Sequence, residues 1–117
     1  MIATVLSFFL LSSNPSLDII REHRLGTPEG RRFFLTEMLN PYVARANHLN
    51  QEIIALSEEV TEKMARLNEM LPILNLALQV NTDFEEIDAI LGSSDLLTAE
   101  QQEIADRIAN LCIAVDQ

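Results

Sequence analysis

The sequence predicts an all-α protein. It reads as a helical bundle or hairpin around a long, coiled-coil-like central helix over about residues 41–80, with shorter helices before and after it. Three observations point there. The composition is 48% hydrophobic, with three Gly, five Phe, one Tyr and no Trp in 117 residues. Leu, Ile, Ala, Glu and Gln dominate, and these residues favour helices over sheets. A heptad pattern of apolar residues follows Leu39. Four helix-start signals, Asn14-Pro15, Thr27-Pro28, Thr82-Asp-Phe-Glu85 and Thr98-Ala-Glu-Gln101, punctuate the chain.

The length fits a single domain, 1–117. Its N-terminal part (1–26) begins with the apolar run Ile2–Leu11, which includes Phe8 and Phe9. No cation precedes this run and no small-x-small cleavage site follows it, as a secretory signal would require. It is also shorter than the about 20 residues that cross a bilayer. The run therefore predicts a helix buried in the protein or against a partner, with an export or membrane-contacting segment as the alternative. A short helix carrying Leu17, Ile20 and Arg24 starts at Asn14-Pro15, with Asn14 as cap and proline in the first turn. Gly26 stands where a left-handed helix end is expected.

The second part (27–80) starts at Thr27-Pro28 and carries Phe33, Phe34, Met38 and Leu39. Pro41 removes a backbone donor and predicts a kink or short break in one long rod. Beyond it, positions a are Leu39, Ala46, Ile53, Val60, Leu67 and Leu74, and positions d are Tyr42, Leu49, Leu56, Lys63, Met70 and Ala77. Lys63 alone is not apolar, and a 3.5-residue spacing sustained this far wraps helices around one another. Val43, Met64, Leu71 and Leu78 at e, with Ile54 at b, widen the stripe. Pro72 should bend the rod without ending the pattern. The third part (82–117) holds two helices opened by capping boxes at Thr82 and Thr98. The first shows Phe84, Ile87 and Leu91 before Gly92. The second shows Ile104, Ile108, Leu111 and Val115, a stripe able to zip antiparallel onto the long helix.

Charge narrows the function classes. Eight Lys and Arg against 18 Asp and Glu leave −10, and residues 67–117 hold one cation and ten anions, about −9. Nucleic-acid binding needs a cationic surface that releases counterions, and a chain of pI about 4.4 argues against it. Cys112 is the single cysteine and sits on the apolar face of the last helix, where thiols act as small hydrophobes. A cytoplasmic compartment is the expectation, with export by a non-classical route as the alternative.

Catalytic and cofactor signals are weak. His48 and Glu52, four apart, offer two ligands where a metal site wants three or four. Asp83, Glu85, Glu86 and Asp88 lack the alternation and central Gly of a calcium loop and suit a helix N-terminus. Gly26-Thr-Pro-Glu-Gly30 lacks the Lys-Ser/Thr of a phosphate loop, and His23 reads as a surface residue. No catalytic residue, cofactor or metal is expected, and the protein reads as non-enzymatic.

Binding of other helices is the remaining class. Leu39, Tyr42, Leu49, Ile53, Leu56, Val60, Leu67, Met70, Leu74 and Leu78 form the expected packing interface. A rod over 39–80 spans about 60 Å, of which the C-terminal helix covers only about 30 Å. Other subunits would cover the remainder, which predicts a self-associating structural or filament-type subunit. The alternative is a small acidic chaperone or adaptor that shields a partner's amphipathic helix. In size, acidity and hairpin character the chain is similar to small components of bacterial secretion machinery, a likeness of general character and not of motif. Arg21, Arg24, Arg31 and Arg32 cluster around the Gly26–Gly30 turn and, with Phe8 and Phe9, are candidates for docking a partner or the chain's own acidic half.

Overall fold

The computed structural model describes residues 14–55, 59–93 and 96–116. The expected helix over Ile2–Leu11, with Phe8 and Phe9, and the d-position Leu56 lie outside these. Helix α1 is Pro15–Glu22, and its cap Asn14 accepts the Leu17 N–H through its side chain. Helix α2 is Pro28–Phe33, and the Thr27 hydroxyl accepts the Gly30 N–H at 2.9 Å. Both proline-led starts form because an N1 proline lacks only a donor that has no partner there in any case. The left-handed residue of the intervening turn is Arg24, at φ 58°, and Gly26 is not in that region. Gly26 serves another purpose: a Cβ there would come within 2.8 Å of Leu91 Cδ1.

From Pro28 the helix runs unbroken through a π-helical segment, Phe34–Leu39, into α3, Asn40–Ile54. The wide turn answers Pro41. In a regular helix the proline ring would press on the carbonyl four residues back. Here the Asn40 N–H reaches Leu35 O, five residues back, and the inserted residue relieves the crowding. The expected kink is thus absorbed as a π-bulge.

The long rod over 41–80 does not form. After α3 the chain leaves helical geometry at Ala55 and resumes at α4, Val60–Ala77, with Glu59 in the left-handed region at φ 64°. α3 and α4 pack against each other as a hairpin. A continuous rod and a hairpin share one heptad pattern, because a break of a few residues keeps a and d in phase. Folding back lets the two halves of the stripe cover each other within the chain, so the 60 Å span that seemed to need other subunits is not there. Pro72 lies inside α4, which continues past it.

The segment opened by Thr82 also differs from expectation. It forms two short helices, α5 (Val80–Phe84) and α6 (Ile87–Leu91), and Thr82 lies inside the first instead of capping it. Val80, Ile87 and Ile90 are drawn into the core, which outweighs the capping preference. α7, Ala99–Val115, has the capping box expected at Thr98 and Gln101.

α7 is the organising element. Ala105, Ile108, Ala109, Leu111, Cys112 and Val115 are buried along it, and it touches α1, α4, α5 and α6. Leu17, Ile20, Leu25, Phe34, Leu39, Tyr42, Ile87 and Ile90 complete one core cluster. Hydrogen bonds from Asn14 Nδ2 to Gln102 Oε1 and from Ser16 Oγ to Asp106 Oδ1, with His23 Nε2 against Asp116 Oδ2, set α1 parallel to α7. The last helix therefore packs on the N-terminal helix as well as on the hairpin.

Candidate interaction surfaces

The hairpin holds the features that could serve a function, and Lys63 shows how it is clamped. As the one charged a or d residue, Lys63 interrupts the expected seam, yet its side chain is only 13% exposed. Its Nζ donates to Glu52 Oε2 at 3.0 Å, tying α4 to α3 next to the turn. This hydrogen bond lowers the Glu52 carboxyl below its ordinary 4.5. Partial desolvation opposes the shift, and the charges of Lys63, His48 and Arg66 reinforce it. A carboxyl lowered in the folded state contributes stability above its unfolded value, and that contribution fades as pH falls through the folded value. We expect the hairpin to weaken on acidification below about 4.5, and Glu52→Gln to flatten this component. Denaturation midpoints followed downward from neutral pH would show the difference.

One flank of the hairpin is a groove of about 1210 Å³, bounded by α3, α4 and the C-terminal half of α7. Leu49, Met70, Ile73, Leu76 and Ile113 supply its apolar lining, and Arg45, His48, Glu52, Arg66 and Glu69 its polar edge. The Arg45 guanidinium lies 5.4 Å from the centre of the Tyr42 ring. Burial pushes the Tyr42 hydroxyl upward and the Arg45 charge counters it. His48 is 71% exposed and 3.6 Å from Glu52, a carboxylate engaged by Lys63. Among the described residues no group of three or more His, Cys, Asp or Glu is placed to hold a metal ion.

Among the described residues, the opposite flank carries no charge. By helix position it runs through Asn47, Asn50 and Ile54 on α3 and Thr61, Met64, Asn68, Leu71, Asn75 and Leu78 on α4, with Val43 at its inner end packed on the core. Met64, Leu71 and Leu78, seven apart on one face, are 48%, 45% and 84% exposed, and Ile54 is 72% exposed. α4 has no buried residue at all.

The predicted packing residues therefore separate. Leu39, Tyr42 and Leu49 are buried, while Ile53, Val60, Leu67, Met70 and Leu74 are half-buried between the hairpin helices and their edges. Leu78 faces outward. α4 packs on α3 and α7, and none of its residues is more than half-buried between them.

The arginine cluster is split by the local fold. Arg31 Nη1 donates to Leu25 O at 2.8 Å, stabilising the α1–α2 turn from within. Arg24 supplies the left-handed residue of that turn and is exposed, as are Arg21 and Arg32. The acidic half is met by other residues. Asp83, 3% exposed, is gripped by Arg107 through Nε at 3.1 Å and Nη2 at 2.8 Å. The hydrogen bond to Asp83 raises the Arg107 guanidinium further, against partial desolvation. Asp83 thus stands in the first turn of α5, as an acid at a helix start should, and is a buried ion-pair partner as well. His23 is likewise not a simple surface residue. Its side chain is 13% exposed, stands edge-on to Phe34, and faces Ile19 O and Asp116 with its two ring nitrogens. These pairings join positions 24 and 93 apart in the chain, and no local spacing announces them. The Cys112 thiol is buried and pushed up to about 12 by desolvation, with a smaller push from Asp116.

No helix among the described residues is long and apolar enough to cross a membrane. The chain matches no protein-family model, no curated protein and no solved structure.

Proposed function

We propose that this protein is a non-enzymatic, helix-mediated assembly module that associates with copies of itself through the uncharged flank of the α3–α4 hairpin. One observation carries the reading: Met64, Leu71 and Leu78 form an exposed apolar row on a helix without buried residues, in a face that holds no charge among the described residues although the chain as a whole is −10. The centres of protein interfaces are depleted in charge. Two copies of so acidic a chain approach most readily through the face that keeps their carboxylates apart.

Light scattering and sedimentation test it. The wild type should exceed the 13.2 kDa of one chain, and Leu71→Glu with Leu78→Glu should return it to monomer. Leu78 is 84% exposed, so Leu78→Glu alone, the companion variant, should keep its stability to within about 0.5 kcal/mol and still weaken association. A monomeric wild type at every concentration sinks the proposal. Association into large, concentration-dependent species favours a filament or shell subunit, and one small homogeneous oligomer favours an adaptor.

The groove supports the second reading, a small acidic chaperone or adaptor. An apolar floor with polar edges is how amphipathic helices are received in helix-in-groove recognition. In that case a partner helix would bind without change in the self-association set by the opposite flank. Membrane contact through residues 2–11 is a third reading, and flotation with liposomes, with and without those residues, tests it.

A further inference from the structure

We propose that the second copy docks so that the two α4 helices form an antiparallel, two-fold pair centred on Leu71, and that association closes at this dimer. This rests on the assembly reading and deepens it by naming the register of the contact.

Spacing is the first argument. Under a two-fold axis one patch serves both copies, with residue i meeting j and j meeting i. Met64, Leu71 and Leu78 stand seven apart and so share one face of α4. With the axis at Leu71, each Leu71 meets its counterpart. Met64 then meets the partner's Leu78 at either end, about 10 Å from the axis. The amides agree with the same axis. Asn68 lies three residues before Leu71 and Asn75 four after it, and both are exposed. Reversing one helix brings each Asn68 to within one residue of the partner's Asn75. A primary amide both donates and accepts, so such a pair bonds without adding charge to the contact.

Charge is the second argument, and it selects antiparallel over parallel. Just past α4, residues 83–88 hold Asp83, Glu85, Glu86 and Asp88 with no base. Arg107 is engaged with Asp83, and the other three acids are exposed. A parallel pair would set these acids beside the same acids of the partner. The antiparallel pair separates them by about 27 Å, the length of the 18-residue α4. Exposed charges are largely screened beyond about 8 Å at physiological salt. The acids then lie toward the N-terminal end of the partner's α4, where the helix dipole is positive. Residues 58–66 at that end hold three acids and two bases, a far weaker repulsion.

Closure is the consequence. A two-fold contact occupies the apolar row of both copies and leaves none to recruit a third. The groove bounded by α3, α4 and α7 is on the other flank, so the dimer keeps two grooves open on its outer sides.

Disulfide trapping reads the register. Cys112 is buried, so cysteines newly placed on α4 are the ones that link. Leu71→Cys should give a covalent dimer under mild oxidation. Met64→Cys alone and Leu78→Cys alone should stay unlinked, while their equimolar mixture should link. Links formed by Met64→Cys alone and by Leu78→Cys alone would show a parallel pair and overturn the proposal. Absence of links throughout, with association intact by light scattering, overturns the register and leaves the assembly reading standing. A monomeric wild type removes both, and species larger than a dimer overturn closure. Charge rescue gives a second readout. Asn68→Asp should raise the dissociation constant about tenfold by placing a carboxylate in the contact. Adding Asn75→Lys to the same chain should recover it, because the two new charges face each other only between antiparallel helices. Failure of that recovery also counts against the register.

Discussion

Arg107→Leu should destabilise the protein by about 3 kcal/mol, measured by denaturant unfolding at neutral pH. Removing one partner of a buried ion pair costs about 3–5 kcal/mol, because it leaves the other charge desolvated and unmatched. The lower end applies because the Arg107 side chain is 25% exposed while that of Asp83 is 4% exposed. Asp83 sits in α5, a helix of only five residues, so its bidentate bond to Arg107 is a main tie between that short helix and α7. The double substitution Asp83→Leu with Arg107→Leu should recover most of the loss, since two apolar side chains leave no buried charge. If Arg107→Leu alone proved neutral, Asp83 would have found water or another donor, and the link between α5 and α7 would rest on apolar packing.

Gly30→Ala should cost about 3 kcal/mol, at the upper end of what overpacking usually costs, despite the better helix propensity of alanine. A Cβ at Gly30 would stand 1.9 Å from Arg24 O and 2.6 Å from Arg24 C. These are backbone atoms and cannot swing aside as a side chain could. The same carbonyl is held by the Thr27 N–H at 3.1 Å and the Thr27 hydroxyl at 2.8 Å, and Arg24 is already in the left-handed region. The added methyl must therefore open the turn that seats Leu25, which is fully buried. Thermal unfolding compared with Gly92→Ala separates this clash from a general effect of replacing glycine. At Gly92 the nearest atom, Asp88 O, is 3.2 Å away, a contact that asks for a small adjustment only. A Gly30→Ala protein as stable as the wild type would mean that the α1–α2 turn is softer than its hydrogen bonds imply.

Helical class, the starts at Asn14-Pro15, Thr27-Pro28 and Thr98, the passage of α4 through Pro72 and the burial of Cys112 were legible from residue order. Each depends on interactions within about one helical turn or on a face repeating every three or four residues. The candidate surfaces were legible only in part. The heptad positions are plain in the sequence, and so is the apolar e row of Met64, Leu71 and Leu78. Which of them face solvent is not, because that depends on where the neighbouring helices lie.

Local pattern by itself thus determined that the chain is helical, where several of its helices begin and which faces are apolar. Only the tertiary structure decided that the stripe after Leu39 is divided between α3 and α4, which pack on each other, that Lys63 clamps Glu52, that Asp83 meets Arg107 and that His23 meets Asp116. A heptad repeat specifies that an apolar face will be covered, but not by which helix. The identity of the cover depends on long-range packing, which rewards a hairpin within the chain over a rod waiting for partners.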